Sequence, residues 1–169
     1  MSIFANANST KKQHMKRIIN LWADRPEYNC FACAPHNPVG LHMEFFEDGD
    51  YIVSQWKPDS NFQGWVDTMH GGILSTLIDE TCGWLVTRKC QTCGFTAELN
   101  VKFRKPVSAS DPMLTIRAHI ASRMRNLLHM HATIANQAGE VCVEGEVTYF
   151  LVSPEKAREM GFTACKVEP

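Results

Sequence analysis

Met69-His70-Gly71-Gly72-Ile73-Leu74-Ser75-Thr76-Leu77-Ile78-Asp79-Glu80-Thr81-Cys82-Gly83-Trp84-Leu85-Val86-Thr87-Arg88 is the stretch on which the fold turns. At 100° per residue, Ile73, Leu74, Leu77, Ile78, Thr81, Trp84 and Leu85 fall within an arc of about 140°. The spacing predicts a helix over 71–88 with an apolar face broad enough to lie across a sheet. Its other face carries Ser75, Thr76, Asp79, Cys82, Gly83 and Val86. A solvated helix face carries several Lys and Glu; this one is small and neutral around a single acid.

Downstream, four segments alternate with period two, the signature of half-buried strands. In 94–104, Phe95, Ala97, Leu99, Val101 and Phe103 alternate with Thr96, Glu98, Asn100, Lys102 and Arg104. Segments 113–121 and 127–135 place Leu114, Ile116, Ala118, Ile120 and Leu128, Met130, Ala132, Ile134 on one face each. Asn136-Gln137-Ala138-Gly139 turns into 140–152, with Val141, Val143, Val147, Tyr149 and Leu151 expected inward. Ser153-Pro154 opens a short terminal helix reaching about Gly161. Upstream, 41–47 and 51–56 flank Asp48-Gly49, a strong hairpin signal. Residues 9–23 show Met15, Ile18, Ile19 and Trp22 at helical spacing behind Ser9 or Thr10, which predicts an N-terminal helix. Pro26, Pro35, Pro38 and Gly40 make 24–40 an irregular loop. A hairpin, one long helix and an antiparallel meander argue α+β, with a sheet wrapped around a central helix, over a parallel βαβ sheet.

The chain of 169 residues is a prior for one domain. Seventeen basic against eighteen acidic side chains give a net charge of −1, so no global basic field draws in nucleic acid. No apolar run approaches the roughly 20 residues needed to span a bilayer, so no membrane association is expected. The basic cluster Lys11, Lys12, Lys16, Arg17 has no apolar run behind it, which argues against a secretory signal. The 7 cysteines read as thiols in a cytoplasmic protein.

The segment from Met69 to Glu80, with nine residues from His70 to Asp79, resembles the helix start of acyl-CoA thioesterases of the phenylacetate-pathway type, which have the hotdog fold. Two other stretches share the resemblance: Thr96-Ala97-Glu98-Leu99-Asn100-Val101 with Pro106, and Cys30-Phe31-Ala32-Cys33 through Gly40-Leu41. It covers roughly 30–152. The resemblance implies a hotdog domain over 30–169 behind an N-terminal helix and lead-in over 1–29, a homodimer or dimer of dimers, and hydrolysis of an acyl-CoA thioester without a cofactor. It assigns the oxyanion-binding amide to Gly71. The family's carbonyl-binding Gln or Asn, six residues before the His, falls here on Gly64, with Gln63 and Asn61 as neighbouring substitutes.

The residues themselves support this chemistry. Gly71-Gly72 at a helix start offers free N–H groups and close backbone approach, suited to an oxygen that gains negative charge; the plain alternative is a tight loop. Asp79 could serve as general base or as nucleophile, with Thr96 orienting the water. Gly71 and Asp79 lie about 12 Å apart along one helix, so one site would draw them from two subunits. His70, without a matched Ser or Cys, is expected to order the turn beside the substrate, with Gly72. Arg104 and Arg125 are candidates for CoA phosphates, with solvated turn charges as the default. Phe62, Trp65, Trp84 and Phe95 are candidates for an acyl pocket or for core. The pairs Cys30/Cys33 and Cys90/Cys93 could form a zinc site, but the 56 residues between Cys33 and Cys90 exceed the usual spacing, so no metal is expected. The competing reading is a non-catalytic acyl-CoA-binding module on the same fold. A hotdog hydratase would want a His following Asp79 on the helix, and none is there.

Overall fold

The computed structural model describes residues 15–169. Seven strands form one antiparallel sheet in the order β1-β2-β3-β7-β8-β9-β6. They are β1 (Lys16–Arg17), β2 (Phe46–Asp48), β3 (Tyr51–Trp56), β6 (Gly94–Phe103), β7 (Leu114–Met124), β8 (Leu127–Ala135) and β9 (Val141–Leu151). A small hairpin of β4 (Gln63–Trp65) and β5 (Thr68–Met69) leads into α1 (Gly71–Leu85), and α2 (Pro154–Glu159) follows the sheet. Helix α1 packs on β3, β6, β7, β8 and β9. The expected α+β architecture is therefore the one found.

The core lies between α1 and the sheet. Leu77, Ile78 and Leu85 of the helix meet Leu114, Ile116, Ala118, Leu128, Met130, Ala132 and Ile134, all fully buried. Each large side chain so buried contributes about 1.5–3 kcal/mol. Ile73 alone of the predicted apolar face stays half-exposed among the core-facing positions, while Cys82 and Val86 of the small face are buried. The α-helix ends at Leu85 and continues as a widened turn over Val86–Cys90, closed by Gln91 in the left-handed region.

The Asp48-Gly49 hairpin forms, with Gly49 at a positive φ. The helix expected over 9–23 is overturned where it can be described: residues 9–14 lie outside the described residues, and 15–23 hold strand and turn. Here pairing partners outweigh helical spacing. Lys16 and Arg17 pair with Glu47 and Phe46, the Ile18 N–H donates to the Phe45 carbonyl, and the Ile19 N–H to that of Lys166. Ile18 is buried and Ile19 exposed, the alternation of a strand.

A second correction concerns β6. Thr96 pairs with Tyr149 and Glu98 with Thr148, which makes Ala97 a bulge residue. The bulge shifts the alternation by one residue. Thr96 thus shares the inner face with Leu99, Val101 and Phe103, while Phe95 pairs outward with Phe150. A smaller slip between Ile134 and Ala135 leaves Val141, expected inward, exposed.

Gly145 of β9 sets how closely α1 approaches, since a Cβ there would lie 2.8 Å from Ile78 Cγ2. Gly145→Ala should destabilise the protein by about 1–3 kcal/mol in urea unfolding. Adding Ile78→Val should recover part of that loss, a coupling that independent sites would not show.

Candidate active site

Two sets of residues lie along α1, one at its start and one near its middle. At its start, His70 is the N-cap: Nδ1 accepts from the Gly72 N–H at 2.9 Å, so this nitrogen is the unprotonated one. The Gly72 amide is thereby committed to His70. The Gly71 N–H, in the first helical turn, has no acceptor among the described residues. Gly71 opens onto a cavity of about 350 Å³ lined by Met69, Leu74, Phe103 and Arg104. A Cβ on Gly71 would stand 3.3 Å from Phe103 Cζ, a close contact with the tip of an exposed ring.

Toward the middle of the helix, the half-buried Asp79 carboxylate is held by two hydroxyls. Thr96 Oγ1 donates to Oδ1 at 2.9 Å, and the Tyr149 hydroxyl lies 2.9 Å from the same oxygen and 3.0 Å from the Asp79 carbonyl. Burial, and then the neighbouring Asp79 charge, pushes the Tyr149 phenol far above its ordinary range, so it stays a donor. Asp79 Oδ2 has no hydrogen-bond partner among the described residues.

Thr96 reaches Asp79 only because of the bulge at Ala97. Strict alternation would have placed it on the polar outer face. Tyr149 was legible as an inward residue of its strand, but its hydroxyl partner was not. Its ring passes beside Gly83, where a Cβ would meet the phenol oxygen at 3.3 Å. An inward Tyr facing a helix glycine one turn after an acid is the signal available in the sequence.

The remaining candidates are scattered. Gln63 pairs with Met69 in the small hairpin and is exposed. Gly64 abuts His70, with a Cβ there 3.2 Å from the His70 ring, so a longer side chain would collide with the cap. Asn61 lines a separate cavity with Trp56 and Phe62. Arg104 borders the Gly71 cavity and ion-pairs with Glu144 at 2.9 Å. Arg125, at a positive φ in the β7–β8 turn, borders another cavity with Phe150 and Val152. None of Phe62, Trp65, Trp84 and Phe95 lines the Gly71 cavity. Trp84 is core, stacked on Phe45 with ring centroids 5.2 Å apart, and Trp65 and Phe95 are exposed.

Cys90 and Cys93 lie outside the cluster of ligand atoms around Cys30 and Cys33, although Cys93 borders the same cavity as Cys30. Instead, Glu80 turns toward the first pair: Cys33 Sγ lies 2.7 Å and Cys30 Sγ 3.7 Å from Glu80 Oε1, with 3.2 Å between the sulfurs. Burial first, and then the Cys30 charge, pushes the Glu80 carboxyl up to about 7.

Comparison with known proteins bears on the fold. Residues 67–143 match the family model of the thioesterase superfamily. The fold is the hotdog fold of that superfamily. A thioesterase superfamily protein superposes with a TM-score of 0.67 at 20% identity over 72% of this chain, which spans 59% of the length of that protein. A hypothetical thioesterase from Streptococcus pneumoniae, solved with coenzyme A, has a TM-score of 0.58 at 25% identity over 62% of this chain and 82% of its own. That pneumococcal protein was also solved with one aspartate, and with one threonine, replaced by alanine. A Streptococcus mutans protein bound to acetyl-CoA has a TM-score of 0.62 at 17% identity, over 76% of this chain and 95% of its own. No curated protein matches the chain by sequence. Among the described residues, no helix of this hotdog chain is long and apolar enough to cross a membrane.

The cap is separable from the rest of the site. His70→Ala should lower stability by about 0.5–2 kcal/mol in urea unfolding, and His70→Asn should lose less, because its side-chain oxygen can accept from the same amide.

Proposed function

We propose that this protein is an acyl-CoA thioester hydrolase in which Asp79 activates water. The observation that carries the reading is the Asp79 carboxylate, fixed through Oδ1 by Thr96 and Tyr149 and open at Oδ2. Two neutral donors on one oxygen orient the group without neutralising it. Oδ2 can then accept a proton from a water as that water attacks the thioester carbonyl. In the alternative course the same carboxylate attacks directly and gives a mixed anhydride that water opens. In either course the carbonyl oxygen becomes an oxyanion, and the uncommitted Gly71 N–H at the positive end of the helix is the donor for it. Gly72 contributes through its bond to His70, which fixes the turn. The sulfur leaves as CoA thiolate, to be protonated by solvent. Arg104, beside the Gly71 cavity, is the candidate for a CoA phosphate.

Gly71 and Asp79 are eight residues apart on α1, or about 12 Å at 1.5 Å per residue. One carbonyl carbon cannot meet both, so the reading requires a second copy of the chain. Strand β6 supports this. It is an edge strand, and Leu99 and Phe103 on its inner face are 38% and 53% exposed despite their apolar character. An apolar edge of this kind is a site for pairing with another chain. A two-fold dimer along it would carry two composite sites, each joining one copy's Gly71 to the other's Asp79.

Release of free thiol from a panel of acyl-CoAs tests the activity. Steady turnover is expected, and saturable binding without release would mean a binding module instead. Asp79→Asn should fold as wild type and lower kcat by roughly 10²-fold or more; near-normal turnover removes Asp79 from the mechanism.

Co-refolding tests the shared site. Gly71→Val and Asp79→Asn should each be inactive alone. Mixed in equal amounts, about half of the dimers pair the two variants, and each of these has one intact site, so about a quarter of wild-type activity should return. A mixture that stays inactive although heterodimers form would mean that each chain carries its own complete site.

A further inference from the structure

We propose that Cys30 Sγ, Cys33 Sγ and Glu80 Oε1 bind a divalent zinc ion that staples the loop over 29–41 to α1. The three ligand atoms lie within 4.8 Å of one another, two on a Cys-x-x-Cys turn and one on the helix. The long spacing to Cys90 and Cys93 bears only on a site that needs them as partners of this pair. The helix supplies the third ligand instead, from the residue next to Asp79.

The distances suit a tetrahedral ion. With Zn–S near 2.3 Å and Zn–O near 2.0 Å, tetrahedral angles put the sulfurs about 3.8 Å apart and each sulfur about 3.5 Å from the oxygen. The structure has 3.2 Å between the sulfurs, and 2.7 and 3.7 Å from sulfur to oxygen. Cys33 Sγ alone would have to withdraw, by less than about 1 Å.

Hydrogen-bond donors surround the cluster. The Cys33 N–H donates to Cys30 Sγ at 3.4 Å, as a Cys-x-x-Cys turn around a metal would. The Trp84 indole N–H points at Cys33 Sγ at 3.4 Å and at Glu80 Oε1 at 3.0 Å, and the Tyr28 hydroxyl lies 2.8 Å from Cys33 Sγ. Such donors orient and hold metal ligands. Trp22, Tyr28, Trp84 and Phe45 form an aromatic wall beside them. Among the described residues the hydrogen-bond partners of Glu80 are Cys30, Cys33 and Trp84, with no cation among them, and Arg25, on the same cavity, donates instead to the Gly161 carbonyl at 2.7 Å. A half-buried carboxylate beside two sulfurs gains from a cation between them. Two thiolates and a carboxylate suit zinc better than magnesium or calcium, which take oxygen ligands. A cavity of about 520 Å³ bordered by Cys30, Glu80 and Tyr28 lies beside the three ligands and leaves room for a water as the fourth. The inference does not depend on the hydrolase reading.

The test uses the full chain, stripped with chelator, reduced with a phosphine, and titrated with Zn²⁺ or Co²⁺ alone. One ion per chain should bind. Co²⁺ should bring a sulfur-to-metal charge-transfer band in the near ultraviolet and the visible bands of a tetrahedral site. Stripping should lower Tm, and Zn²⁺ should restore it. Cys30→Ser and Cys33→Ser should each abolish the charge-transfer band, while Cys90→Ser, outside the cluster, should keep it. Reduced wild-type protein that takes up neither ion would overturn the proposal. So would a Cys30→Ser/Cys33→Ser double variant that binds Co²⁺ with the same spectrum as wild type.

Discussion

The distance between α1 and the sheet is the constraint from which the remaining features follow. One helix must cover the inner faces of five strands, and it can do so only if its backbone comes close to them. Gly145 on the sheet and Gly83 on the helix permit that approach, one opposite Ile78 and the other opposite Tyr149. The area buried at this seam is the source of stability. A helix held a little further out would leave the layer from Leu114 to Ile134 without partners.

The same closeness builds the polar site. Because α1 lies low on β9 and β6, the Tyr149 and Thr96 hydroxyls reach one carboxylate oxygen across the seam. An acid on a more distant helix would face water and keep both oxygens solvated. Glu80, the next residue, points to the loop side and meets Cys33 and Trp84. Two adjacent carboxylates thus have unrelated surroundings, because successive residues of a helix diverge by about 100°.

Much of the architecture was legible because hydrophobic periodicity was strong where burial is complete. The strands carrying Leu114, Ile116, Leu128, Met130 and Ile134 alternate cleanly and are buried as their pattern predicts. The Asp48-Gly49 turn has a backbone reason that the residue names reveal. The errors fall where a local pattern competes with distant partners. Ile18 and Ile19 sit at spacings that suit either helix or strand, and β2 and the C-terminal segment decide between them. Asp79, Gly71 and His70 are candidates on type, spacing and resemblance, and the structure gives their hydrogen bonds. Tyr149 and Glu80 are not candidates on those grounds, because their roles depend on contacts from other elements. Arg125 and Asn61 share residue chemistry with a substrate site but lie on other cavities.

The bulge at Ala97 acts as a phase shifter within a single strand. Before it, the strand is in step with the helix and presents Thr96 to Asp79. After it, the strand is in step with the free edge and presents Leu99, Val101 and Phe103 on the same inner side. One residue without a pairing partner therefore lets two surfaces of different use share one continuous strand. Sequence drift on the edge half leaves the phase of the site half untouched, whereas loss of the single extra residue would put one half out of step with the other. At this point the length of the strand matters more than its composition, because the register of both halves depends on it.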